Sequence, residues 1–210
     1  MCSFAPFAGV GPTVVTVPGL GGSGEGHWQT LWERSRPSTI RAELGMWDAP
    51  QRNSWVTRLD RAIGRVEAPV ILAAHSLGCL AVAWWAQLLP QPHGWPVAGA
   101  LLVAPADVDR PDAPGVLRGF APAPAVPLPF SSIVVGSTDD PWMAVERARS
   151  LAAGWGSRFV EAGPIGHINA DSGIGAWPEG RTLLERLVAD APMFSPPSAS
   201  LAPAGARRAA

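Results

Sequence analysis

The sequence predicts an α/β protein: a mostly parallel sheet covered by helices on both faces. Short apolar runs rich in β-branched residues recur along the chain, and helix-length stretches separate them. That alternation implies strands running side by side in one direction, with the intervening helices packed above and below. Strands are expected over 13–17, 39–44, 70–74, 97–103, 133–135 and 158–161, and helices over 28–35, 55–66, 77–89, 142–155 and 181–189. Pro69 opens the third strand and Pro90-Gln91-Pro92 closes the third helix, where the ring removes a donor or restricts the preceding residue. The Pro- and Ala-rich segment 112–130 reads as a long extended loop. Residues 1–11 read as a short leader, 12–191 as a single domain, and the Ser-, Pro- and Ala-rich 192–210 as a tail that cannot bury enough surface to order itself.

Composition narrows the function classes. A chain of 210 residues fits one hydrophobic core. Its apolar runs are too short, and too often broken by Gly or Pro, to span a bilayer, so no membrane association is expected. The net charge is −1 and the arginines are scattered, which leaves no basic stripe for nucleic acid. Lysine and tyrosine are absent while Trp occurs 10 times, and these indoles are expected to fill the core or line cavities. Cys2 and Cys79 are a poor basis for a disulfide framework, and the first residues lack the basic region of a secretory signal; both point to the cytoplasm. Cys79 reads as a small buried hydrophobe. No metal and no cofactor are expected.

The chemistry concentrates around Ser76. The run Val70-Ile71-Leu72-Ala73-Ala74 leads straight into His75-Ser76-Leu77-Gly78 and a helical stretch, the strand-turn-helix setting of a nucleophile elbow. So sharp a turn needs small residues on both sides; Gly78 satisfies one side, and Ala74 adds a methyl group on the other, for which the elbow must open slightly or the neighbouring strand must leave space. The elbow exposes the serine hydroxyl and points the Leu77 amide at the place where an oxyanion would form. The Leu20 amide, in Val17-Pro18-Gly19-Leu20-Gly21-Gly22, is the expected second donor, since its glycines let the backbone approach closely. That glycine run matches neither the dinucleotide nor the Walker pattern.

Of the four histidines, His75 should point away from the serine, and His93 lies at the far edge of the sheet. His27 approaches the site but precedes the serine, whereas the fold supplies its partners in the order serine, acid, histidine. His167, in the loop after the last strand, is therefore the expected base. The loop after the fifth strand offers Asp139 and Asp140; Asp140, just before Pro141, is favoured, with Asp107 and Asp109 as a fallback one strand earlier.

These residues resemble the small serine hydrolases that include retinoblastoma-binding protein nine and the YdeN-like bacterial proteins. Four blocks carry the likeness: 17–23 with His27-Trp28, 74–78, 136–141, and Gly166-His167-Ile168-Asn169 leading to 172–180. The resemblance implies an α/β-hydrolase fold without a large lid domain and a catalytic trio of Ser76, Asp140 and His167, and it favours Asp140 over Asp107. The expected activity is hydrolysis of a small acyl substrate, carboxylesterase-like, with amidase or peptidase activity as a variant on the same machinery. Candidate substrate contacts are His27, Trp28 and Trp142, with Trp177 as a further wall. The competing reading is a protein-binding module that kept the fold and lost the chemistry; the sequence names no protein partner.

Overall fold

The structure is a computed structural model, and it describes residues 11–66, 69–90 and 96–191. The leader through residue 10, His93 and the tail from residue 192 lie outside the described residues.

Six strands, β1 (Thr13–Val17), β2 (Thr39–Arg41), β3 (Val70–His75), β4 (Val97–Val103), β5 (Ser131–Gly136) and β6 (Arg158–Glu161), form one sheet in the order β2-β1-β3-β4-β5-β6. Every neighbouring pair is parallel. β2 is shorter than the sequence suggests. Its last pairing is Arg41 with Thr16, after which the chain turns away through Gly45 and Met46, both with positive φ.

Alternation along the strands divides the core into two layers, because successive side chains leave a strand on opposite faces. Val15, Val17, Leu72, Ala74, Leu102 and Val134 face one layer together with α2 (Arg52–Gly64), α3 (Leu77–Leu88) and α4 (Val145–Gly154). Val14, Ile71, Ala73, Leu101, Val103 and Val135 face the other, against α1 (Trp28–Ser35) and α5 (Pro178–Asp190). Full burial on both faces explains why these strands read as continuous apolar runs. α5 starts earlier than expected because Pro178 supplies a ready-made first helical residue. α4 starts later, since the Asp140 carboxylate accepts the Trp142 amide and shapes a turn before it. The expected extended loop 112–130 holds one 3-10 helix, Gly115–Phe120, and Phe120 is fully buried. No helix among the described residues is long and apolar enough to cross a membrane.

The β3–α3 junction depends on Gly78. A Cβ there would stand 2.7 Å from the Pro18 carbonyl oxygen and would also overlap that of Val17. The methyl of Ala74 is accommodated, fully buried in the same layer as Val17 and Leu102. Gly78→Ala is therefore expected to lose roughly 1–3 kcal/mol in chemical denaturation, the usual cost of forced overpacking; an unchanged midpoint would contradict it.

Candidate active site

Ser76 sits between β3 and α3 with φ 53° and ψ −123°, a backbone conformation that side chains rarely adopt. It is held there by its amide, which donates to Val103 at 2.9 Å, and by its carbonyl, which accepts from Cys79 at 3.0 Å. Strain imposed by surrounding bonds is a mark of functional turns. The hydroxyl lies 2.9 Å from Nε2 of His167, and Nδ1 of that ring lies 2.9 Å from both oxygens of Asp140. A carboxylate only accepts, so Nδ1 carries the proton and Nε2 presents its lone pair to the serine. The Asp140 side chain is 1% exposed.

Asp139 faces elsewhere. Its carboxylate accepts the Gly166 amide at 2.7 Å and lies 2.8 Å from the Ser137 hydroxyl, tying the loop that carries Asp140 to the loop that carries His167. The Ser137 hydroxyl, and then the Gly166 amide, hold this carboxyl below its usual range. Neither fallback acid touches His167: Asp107 accepts the Asp109 amide, and Asp109 pairs with Arg147 and the Ala123 amide.

The glycine loop passes directly over the elbow. A Cβ on Gly19 would stand 2.8 Å from that of Ser76 and 3.2 Å from the Leu77 nitrogen. Among the described residues, the amides of Leu20 and Leu77 donate to no protein acceptor. The loop is anchored by Gly21 donating to Trp47 at 2.9 Å and by a buried amide, Gln29, which donates to Ala73 and accepts from Ser23. Gln29 carries no chemical signal in the sequence, and only its complete burial reveals this work.

A cleft of about 230 Å³ opens at Ser76 and His167. Leu20, Ala106, Leu117 and Trp142 give it apolar walls, and Asp107, Arg110 and Asn169 add polar groups. The guanidinium of Arg110 is already committed to Asp112 and to the Pro141 carbonyl. Trp142, half exposed at the rim, stands where the sequence suggested. The other aromatic candidates do not. Trp28 is fully buried against Trp32 and Trp177, with centroids 4.5 and 5.5 Å away, and Trp177 is itself buried. These large apolar rings fill the layer under α1 and α5 and never reach the cleft. His27 caps α1, its Nδ1 accepting the Gln29 amide, and is buried beside His75.

Burial, and then the charges of Arg41 and His167, lower His27 to about 4. Burial likewise pushes His75 well below its ordinary value, with His167 and His27 adding to the effect. As pH falls below about 6.5, the unfolded chain gains a proton on His27 that the folded chain refuses until about 4. Stability is therefore present above that window and lost within it, by roughly 3 kcal/mol for His27 alone. Urea midpoints should fall between pH 6.5 and 5, where few carboxylates titrate, and His27→Gln should flatten the slope; a flat wild-type profile would refute this. Burial raises the Cys79 thiol, so it stays protonated and unreactive.

Residues 14–186 match the model of a family described as serine hydrolase. The chain belongs to the serine hydrolase family. A YdeN-like hydrolase from Pectobacterium atrosepticum shares 34% identity and a TM-score of 0.75, over 87% of this chain and 94% of that one. The ydeN gene product of B. subtilis is similar at 19% identity and TM-score 0.68, over 85% and 99%. A monoacylglycerol lipase from Paleococcus ferrophilus, at 15% identity and TM-score 0.64 over 86% and 97%, shares the fold. Among curated proteins, none matches. This serine hydrolase has the α/β-hydrolase architecture without a large extra domain among its described residues: the long β4–β5 connection holds only the short 3-10 helix.

Proposed function

We propose that this serine hydrolase cleaves acyl esters of small molecules, with Ser76 as nucleophile, His167 as base and Asp140 as the acid that orients the imidazole. The unbroken relay from hydroxyl to imidazole to carboxylate, 2.9 Å at each link and opening on a cleft, carries this reading. In the first step His167 Nε2 takes the hydroxyl proton as Ser76 Oγ bonds to the acyl carbon, and the carbonyl electrons move onto oxygen. The free amides of Leu20 and Leu77 are the donors for that oxyanion. As the tetrahedral species collapses, the alcohol leaves with the proton from His167. Water, deprotonated by the same ring, then releases the acid and restores the serine. An amide substrate would follow the same steps with an amine as leaving group.

The apolar walls favour a neutral acyl group, and 230 Å³ lies below the roughly 300–1,000 Å³ of pockets for drug-sized ligands, which favours a short one. A fluorophosphonate probe is expected to label the wild type and not Ser76→Ala. Acetyl to butyryl esters are expected to turn over faster than dodecanoyl esters. An unlabelled wild type would overturn the catalytic reading, and a preference for long chains would overturn the substrate class.

A further inference from the structure

We propose that His75 and Trp28 are positioning residues: their ring N–H groups clamp two consecutive carbonyls of the base loop and so set where the His167 imidazole stands against Ser76. The inference rests on the catalytic reading above. His75 Nε2 lies 2.9 Å from the His167 carbonyl oxygen, and Trp28 Nε1 donates to the Ile168 carbonyl at 2.9 Å. A carbonyl only accepts, so His75 must carry its proton on Nε2. Both donors are buried, His75 at 6% and Trp28 at 0% exposure, where a lost partner cannot be replaced by bulk water.

What they hold is a loop with reason to relax. Ile168 is fully buried with φ 49°, a left-handed conformation that a β-branched side chain resists, and Gly166, on the other side of His167, has φ 60°. Two hydrogen bonds from outside the loop oppose that tendency at the two residues that aim the imidazole. His75 also directly precedes Ser76, so one turn of backbone places the nucleophile and grips the base from 92 positions away. Its ring, edge-on to His27 at 4.7 Å and to His167 at 4.9 Å, has little room to swing out. Neither residue reaches the cleft, and this separates their role from substrate contact.

The test compares donor removal with ring removal. His75→Phe keeps an aromatic ring and loses the N–H, His75→Gln keeps an amide donor, and Trp28→Phe removes the indole N–H. His75→Phe and Trp28→Phe are expected to lower kcat for a short-chain ester by roughly a hundred-fold, the scale of an ångström-sized misplacement, with KM within about two-fold. His75→Gln should recover most of that loss. Thermal melts identify folded variants, and Trp28→Phe carries the kinetic test should His75→Phe not fold. A kcat within two-fold of wild type in the folded Phe variants, or equal losses in His75→Phe and His75→Gln, overturns the clamp. A wild type that the fluorophosphonate leaves unlabelled overturns the catalytic reading instead. The clamp is then decided by the histidine-ring nitrogen-15 spectrum of the wild type: a His75 Nε2–H proton protected from exchange supports it, and an Nδ1–H ring overturns it.

Discussion

Ser76→Ala and His167→Ala are each expected to cut kcat for ester hydrolysis by on the order of a million-fold, and the double variant by no more, because groups that act as one unit are lost together. The physical basis is the 2.9 Å contact between Oγ and Nε2. A serine hydroxyl alone is a weak nucleophile; it becomes competent only when its proton has a receiver at bonding distance as the new bond forms. Without the hydroxyl there is nothing to acylate, and without the imidazole the proton has nowhere to go. The Leu20 and Leu77 amides, the donors proposed for the oxyanion, belong to the backbone and survive both substitutions, so turnover above the water rate should persist. Steady-state kinetics with a short-chain chromogenic ester, on protein freed of wild-type carry-over, measures both losses. A reduction of only a few-fold in either variant, or losses that multiply in the double variant, would show that the two groups do not work together.

Asp140→Asn is expected to reduce kcat by roughly ten thousand-fold, and Asp139→Asn by about ten-fold. The two neighbours differ in what they touch. Asp140 is buried and contacts Nδ1 through both oxygens. An asparagine there offers an amide N–H to a nitrogen that itself donates, which favours the opposite tautomer and turns a protonated nitrogen toward Ser76. Asp139 is exposed and binds the Gly166 amide, so its neutral replacement weakens a loop anchor and leaves the tautomer alone. Comparing the two variants under saturating ester resolves the roles. Equal losses, or a larger loss at Asp139, would defeat the assignment of Asp140.

The residues of the relay were legible because each lies where a strand of predictable type ends. An apolar run followed by His75-Ser76-Leu77-Gly78 marks an elbow whatever the rest of the chain does, and the loops after β5 and β6 open at the same end of a parallel sheet. The choice between Asp139 and Asp140 was not settled by position alone. Adjacent residues point in different directions, and which one meets the imidazole depends on a turn shaped by the Trp142 amide and the Ser137 hydroxyl. His27 and Trp28 show the opposite failure: they follow the glycine loop in sequence, yet both are buried away from the cleft.

By itself, the amino-acid order determined the class of fold, the parallel direction of its strands and the position of the elbow, since these follow from local periodicity and from where glycine and proline stand. Only the tertiary structure decided what the tryptophans do. Trp28, Trp32, Trp55, Trp84 and Trp155 each donate an indole N–H to a backbone carbonyl, those of Ile168, Ala176, Gly45, Phe120 and Pro124. A carbonyl that no helix or sheet bond satisfies needs a donor, and a large apolar ring carrying one N–H fills space and meets that need together. Such pairings join residues as far apart as 144 positions, so no local pattern announces them.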